Sequence, residues 1–273
     1  MEQKYLDMLK EIINTGTKRN VRGSETRSIF GRSFEYSLKD YTCPVFSHRK
    51  IFVRAIIEEL LFFISGSSDT TILESKGINI WKQHTRREYL DSIGLNDLPE
   101  GSYGDAYGIQ LRNFNGVDQL EYVIQLLKTD PTSRRIVISY WNPSALSRMA
   151  LPPCHILYQF FVDTNTNELS VSFYQRSSDF AMACNYNLVS ASLLVFMLCK
   201  VTGLKPGKCI HTIGDLHVYE NQIESIKKFI NNKPMEFPKM QVANQKNILN
   251  FTVNDFKLIG YKNHGTYSIP FTT

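Results

Sequence analysis

Cys154 sits in Leu151-Pro152-Pro153-Cys154-His155, where two prolines exclude a helix and fix the backbone just ahead of an apolar, strand-like run. A cysteine taken at random is more often a buried structural thiol than a nucleophile. Positive charge nearby alters that balance, because it lowers a thiol's pKa and raises the thiolate fraction. Gln175-Arg176-Ser177 ends the strand-like run that follows, close enough in a hairpin to approach Cys154, and Arg134 and Arg135 begin the run before it. Each arginine alone reads as a solvated charge. Together they read as an anion site, since guanidinium forks hold phosphate bidentately.

Other polar residues offer matching chemistry. Asn187 lies at the entrance of a strongly apolar helix, where it either caps that helix or presents a donor and an acceptor side by side, the pattern of uracil's N3–H and O4 edge. In Gly214-Asp215-Leu216-His217-Val218-Tyr219, His217 and Tyr219 share one face of a strand. They serve there as satisfied core groups or as partners for a sugar hydroxyl. Glu58 and Glu59 stand among Ile56, Ile57, Leu60 and Leu61. Neighbours on a helix point about 100° apart, so one acid is drawn toward the apolar side. Burial of Glu59 would raise its pKa as a proton-transfer group requires; the alternative is a paired or edge-exposed acid.

The elements that position these residues follow from periodicity. Tyr5, Met8, Leu9, Ile12 and Ile13 mark one face of an opening helix, and Phe34, Tyr36 and Leu38 alternate as in a half-buried strand. Helices are predicted over Ile51 to Ile64 and over Val117 to Leu127, the second stopped by Asp130-Pro131. Strand-like runs cover Arg135 to Trp141, Ile156 to Val162 and Leu169 to Tyr174, with Asp163 to Asn167 as a turn. A helix from about Asn187 to Val201, apolar nearly all round, belongs at the centre. A strand near Ile210 to Tyr219 and a helix through Ile223 to Ile230 complete an α+β pattern of mixed order.

With 273 residues, 42% of them hydrophobic, the chain can bury a full core, and a single domain over residues 1–273 is the simplest reading. No repeat, linker or secretory leader is evident, and the run Leu188 to Cys199, interrupted by Ser190 and Ser192, is shorter than a membrane span. Five cysteines without a CxxC pair suggest reduced thiols and a cytoplasmic protein. A net charge of +5, mostly scattered, lacks the dense basic stripe of nucleic-acid binders but suits an enzyme acting on a nucleotide.

Read together, these segments resemble the thymidylate synthase family. Its most specific motifs here are Met149-Ala150-Leu151-Pro152-Pro153-Cys154-His155, Tyr174-Gln175-Arg176-Ser177 and Gly214-Asp215-Leu216-His217-Val218-Tyr219. Ser28-Ile29-Phe30-Gly31, Glu58-Glu59-Leu60-Leu61, Ile80-Trp81, Tyr107-Gly108-Ile109-Gln110 and Ser133-Arg134-Arg135-Ile136 follow the family's order over nearly the whole chain. The resemblance implies an α+β homodimer in which sheets of two subunits pack together and Arg134 and Arg135 serve the partner's site. It implies that Arg176 and Ser177 hold the phosphate of dUMP, that Asn187 reads the uracil edge, and that His217 and Tyr219 bond the sugar. It further implies that His155, Gln175, Ser178 and Asp179 complete the nucleotide site. Phe52, Ile80, Trp81, Asp179, Met182, Tyr186 and Thr272 would meet methylenetetrahydrofolate.

The implied mechanism needs no metal. Cys154 attacks C6 of the pyrimidine and makes C5 a nucleophile; Glu59 manages protons at O4 through water, and Tyr107 helps remove the C5 proton. The sequence also departs from the family pattern. Val21 replaces the phosphate-loop arginine, leaving a shifted Arg22 to stand in, and Glu25 replaces a glycine and adds negative charge near an anion. Met182 to Tyr186 lack a glycine and a proline, Asp105 replaces a proline, Leu111 a tryptophan, and His84 an asparagine or tryptophan. The chain ends Pro270-Phe271-Thr272-Thr273 instead of in an apolar closing tail. A pyrimidine hydroxymethylase, in which water replaces hydride as the final acceptor, is therefore the alternative within the family. A non-catalytic relative that binds nucleotide or its own messenger RNA is the alternative outside enzymology; otherwise neither nucleic acid nor membrane is expected as a partner.

Overall fold

A computed structural model describes residues 1–271. Its helices are α1 (Glu2–Thr15), α2 (Val53–Ser65), α3 (Thr71–Glu74), α4 (Lys82–Thr85), α5 (Arg87–Ser92), α6 (Tyr107–Arg112), α7 (Gln119–Thr129), α8 (Cys184–Thr202) and α9 (Ile223–Lys227). Its strands are β1 (Thr17–Val21), β2 (Ser24–Ser37), β3 (Val137–Ser139), β4 (His155–Asp163), β5 (Glu168–Asp179), β6 (Lys205–Tyr219), β7 (Lys239–Val242) and β8 (Phe256–Ile259). The first six form one mixed sheet in the order β1-β2-β6-β5-β4-β3, in which β5 and β6 run parallel and the other pairs antiparallel. β7 and β8 form a separate antiparallel ribbon.

The parallel pair explains the central helix. A parallel connection needs a crossover, and α8 supplies it between β5 and β6. It lies against both strands on one side and α2 on another, so nearly every residue from Leu188 to Cys199 is buried. Apolarity all round is what such a site demands. By length and composition α8 could cross a membrane, but here its apolar surface is covered by protein.

Sequence periodicity found most of these elements and misjudged several. The helix expected from Asn187 begins at Cys184, and the Asn187 N–H bonds Ala183 O at 3.1 Å, so Asn187 is inside the first turn and caps nothing. The strand expected over Arg135 to Trp141 contracts to Val137–Ser139 at the sheet edge. β1 and the first half of β2 escaped notice because β1 is largely exposed and the inward residues of early β2, Thr26 and Ser28, are polar, which erases the apolar alternation. What pairs them is a two-residue turn, Arg22-Gly23, with φ of +51° and +82° and Val21 opposite Ser24. Two left-handed residues make a type I′ turn, whose twist matches that of the flanking strands.

Candidate active site

The ends of the central strands, the start of α8, one face of α2 and the β1–β2 turn enclose a cleft of about 610 Å³. Cys154 opens onto it from the corner before β4. The corner is fixed by Arg176, whose backbone N–H bonds Cys154 O at 2.8 Å and whose side chain donates from Nε to Pro153 O (2.7 Å) and from Nη2 to Pro152 O (3.0 Å). The two prolines thus offer carbonyls that hold the arginine beside the sulfur. Gly214 lets β6 approach this point, since a Cβ there would stand 2.8 Å from Arg176 O and 2.6 Å from Tyr174 Oη.

The electrostatics of the thiol differ from the sequence expectation. Burial pushes the Cys154 thiol above its ordinary value, and Arg176 and then Arg22 oppose that without overcoming it. The arginines thus act by stabilising charge as it develops on sulfur. Tyr107 accepts the Cys154 backbone N–H at 2.7 Å, and burial holds its phenol well above the usual range. A neutral phenol with its acceptor side occupied serves as an O–H donor, not as a free phenolate base.

The adjacent glutamates diverge. Glu58 turns into the protein and pairs with Lys76 at 2.6 Å. Glu59 faces the cleft, accepts the Trp81 Nε1–H at 2.9 Å, and has its pKa pushed up to about 7 by burial, against the lowering effect of that bond. A carboxyl poised near neutrality can both give and take a proton. Burial also raises Asp179, despite bonds from Gln222 and the Met182 N–H, and drives His155 down to about 3. His155 is thus a neutral ring stacked on Tyr107, with centroids 4.4 Å apart.

On the sheet side, Gln175, Ser177 and Asp179 of β5 line the cleft together with His217 and Tyr219 of β6. Parallel pairing sets Ser177 beside Asp215 and Asp179 beside His217. Asn187 and Met182 line it from α8 and the preceding turn, and Ile80 and Trp81 from the far wall. Arg22 enters from the turn, close enough for its charge to act on Cys154, His84 and Tyr219.

Several predicted residues are elsewhere. Arg134 and Arg135, expected to serve the partner's site, are exposed before β3 and do not line this chain's own cleft. Phe52 is 49% exposed under Lys50, Ser178 is buried away from the cavity, and Tyr186 packs against the core. Thr272 lies outside the described residues. Glu25, expected to bring negative charge to the anion, is exposed on β2 opposite Asn20 and does not line the cleft.

Other lining residues had been assigned no role: Arg19, Thr26, Asp215, Phe63 and Phe271. Arg19 pairs with Asp215, which also lies 3.3 Å from His217 Nδ1. The basic run from Lys18 to Arg27 was the available signal for Arg19. Phe271 comes from a segment remote in sequence and meets His84 edge-on at 6.0 Å.

Comparison with known proteins gives a consistent answer. The family model described as Thymidylate synthase matches residues 3–273. The chain is 41% identical to thymidylate synthase of Homo sapiens, over 97% of this chain and 88% of the relative. It is 40% identical to thymidylate synthase 1/2 of Encephalitozoon cuniculi, over 96% and 94% respectively. It is 41% identical to a bifunctional dihydrofolate reductase-thymidylate synthase of Paramecium tetraurelia, over 96% of this chain but only 59% of that longer protein.

Proposed function

This chain belongs to the thymidylate synthase family, a family of methyltransferases, and from that premise we propose that it converts dUMP to dTMP by reductive methylation with methylenetetrahydrofolate. The observation that carries the reading is one cleft holding the Cys154 thiol, the Arg176 guanidinium, the Asn187 amide and the Glu59 carboxyl.

The residues fit a folate. A flat, partly apolar ring system finds Ile80, Trp81 and Phe63 on one wall, and Asp179 offers a buried carboxylate to its N–H groups. Bound there, it would supply the one-carbon unit and the hydride that completes the methyl group.

The protein's part begins with position. Arg176, Ser177 and Arg22 present donors for the nucleotide phosphate, Asn187 pairs with the N3–H and O4 edge, and His217 and Tyr219 face the sugar. Cys154 Sγ then bonds to C6 as its proton passes to water in the cleft, and electron density moves through C5 toward O4. Arg176 stabilises the sulfur's charge, and Glu59, half-protonated near pH 7, donates toward O4 through water. The C5 proton leaves to a water that the Tyr107 hydroxyl orients. Reversal at Cys154 restores the thiol and releases product.

A homodimer forms part of this reading. Its support is the exposure of two large apolar side chains on the sheet, Phe30 of β2 at 79% and Phe161 of β4 at 67%, and of two arginines, Arg134 and Arg135, that do not line their own cleft. Free thiols at all five cysteines support a reducing, cytoplasmic setting. Incubation with dUMP and methylenetetrahydrofolate, followed by absorbance of dihydrofolate and mass of the nucleotide, tests the function. Dihydrofolate with a methylated nucleotide is expected. A hydroxymethyl product without dihydrofolate, or binding without turnover, overturns it.

A further inference from the structure

Gln222 lies outside the cleft, is fully buried, and touches three parts of its frame. Its Oε1 accepts the Tyr219 backbone N–H at 3.2 Å, which caps the turn after β6. Its Nε2 donates to Asp179 Oδ2 at 2.7 Å and to the Pro270 carbonyl at 3.2 Å. Two of these partners only accept and the third only donates, so the amide has a single orientation that satisfies them all.

The consequence lies in what the two acceptors belong to. Asp179 lines the cleft, and its other oxygen is held by the Met182 N–H at 3.0 Å. Pro270 precedes Phe271, which also lines the cleft and meets the ring of His84. One buried NH₂ group therefore joins a pocket carboxylate to the backbone of a segment lying over that pocket. Displacing the segment leaves a buried donor unpaired, and shifting the carboxylate disturbs the same group.

We propose that Gln222 is a positioning residue that couples the seating of Pro270 and Phe271 over the cleft to the Asp179 carboxylate, so that binding of the folate-side ligand and seating of this segment favour each other. The coupling is reciprocal by linkage. The proposal rests on the functional reading above only for the identity of that ligand; the coupling itself rests on the three hydrogen bonds of Gln222.

Two variants separate coupling from simple capping. Gln222→Glu keeps the acceptor for Tyr219 N–H and removes both donors, whereas Gln222→Met removes all three bonds. Amide exchange of residues 267–269 and 271 should accelerate about tenfold in both variants, and the KM for methylenetetrahydrofolate should rise about tenfold while that for dUMP changes less than threefold. A Gln222→Glu protein that matches wild type in segment exchange and in folate KM overturns the proposal, because the cap bond alone would then account for the residue. Should either Gln222 variant fail to fold, Phe271→Ala, at a residue 54% exposed, tests the same link from the other end. It should weaken the folate KM and speed exchange at Ile269; a change in neither overturns the coupling. Absence of dTMP from the wild-type protein would instead count against the functional reading and leave the exchange result standing.

Discussion

The floor of the cleft and its roof are built by different means. The floor is strand ends: Cys154, Gln175, Arg176, Asp179 and His217 sit on β4, β5 and β6 or at their margins, where ladder bonds continue on both sides. The roof is made of a two-residue turn, the stretch from Ile80 to His84, and the segment carrying Pro270 and Phe271, which meet across the cavity through single contacts such as His84 against Phe271. Departures from the family pattern that reach the cleft, at Val21, Met182, Ala183, His84 and Phe271, fall on the roof or its adjoining wall, and the floor motifs are intact. A sheet holds reacting groups to a fixed geometry, while a roof of loops accepts substitution because its few contacts are locally replaceable.

Substitutions can break or sharpen this contrast. On the floor, Cys154→Ser should cut turnover by at least about a thousandfold, since removing a nucleophile disables the whole catalytic unit. Dihydrofolate formation measures the loss, and an unchanged circular dichroism spectrum shows that the fold is kept. Glu59→Gln, where floor meets wall, should lower kcat by roughly a hundredfold or more. It should also change the pH dependence of stability. With Glu59 near 7 in the native state and 4.5 as its ordinary value, the native protein holds a proton that the unfolded chain releases between those limits. The unfolding free energy of the wild type therefore falls as pH rises from about 4.5 to 7, and the glutamine variant should lack this contribution, as urea unfolding at pH 5 and pH 8 would register.

Roof substitutions should be milder. Arg22→Ala is expected to raise the KM for dUMP about tenfold, the size of one charge-assisted hydrogen bond, with a smaller fall in kcat because Arg22 adds less than Arg176 to the charge at Cys154. Steady-state kinetics at two ionic strengths would check it; a collapse of kcat would move Arg22 to the floor. The smallest effect is expected for Gly23→Ala. A side chain there meets nothing within 4 Å, so the cost is the left-handed backbone alone, about 1 kcal/mol or a few degrees in thermal midpoint by calorimetry.

Legibility followed the same division. Floor residues are embedded in strands whose apolar alternation is visible in sequence, and the prolines before Cys154 announced a rigid corner. The place of Glu59 was readable from its apolar helix. The roof was largely hidden: β1 is too polar to show a period, and Phe271 is brought to His84 from 187 residues away by tertiary packing alone. Asn187 was placed at the right end of the right helix, but the true start lay three residues earlier, because Cys184 and Asn185 are as buried as the rest and polarity gave no warning. The upward shift of the Cys154 thiol was also unreadable, since it depends on how completely the fold removes water from the sulfur.

The bond from Trp81 to Glu59 has an optical consequence. The chain holds two tryptophans, and the other, Trp141, lies with its ring 5.5 Å from the Arg176 guanidinium. Both indoles are thus beside groups that change charge or acquire a charged neighbour when the cleft is used, so intrinsic emission reports on the cleft without any added label. The Trp81 share should titrate near pH 7 with Glu59, and the Trp141 share should respond to an anion at Arg176.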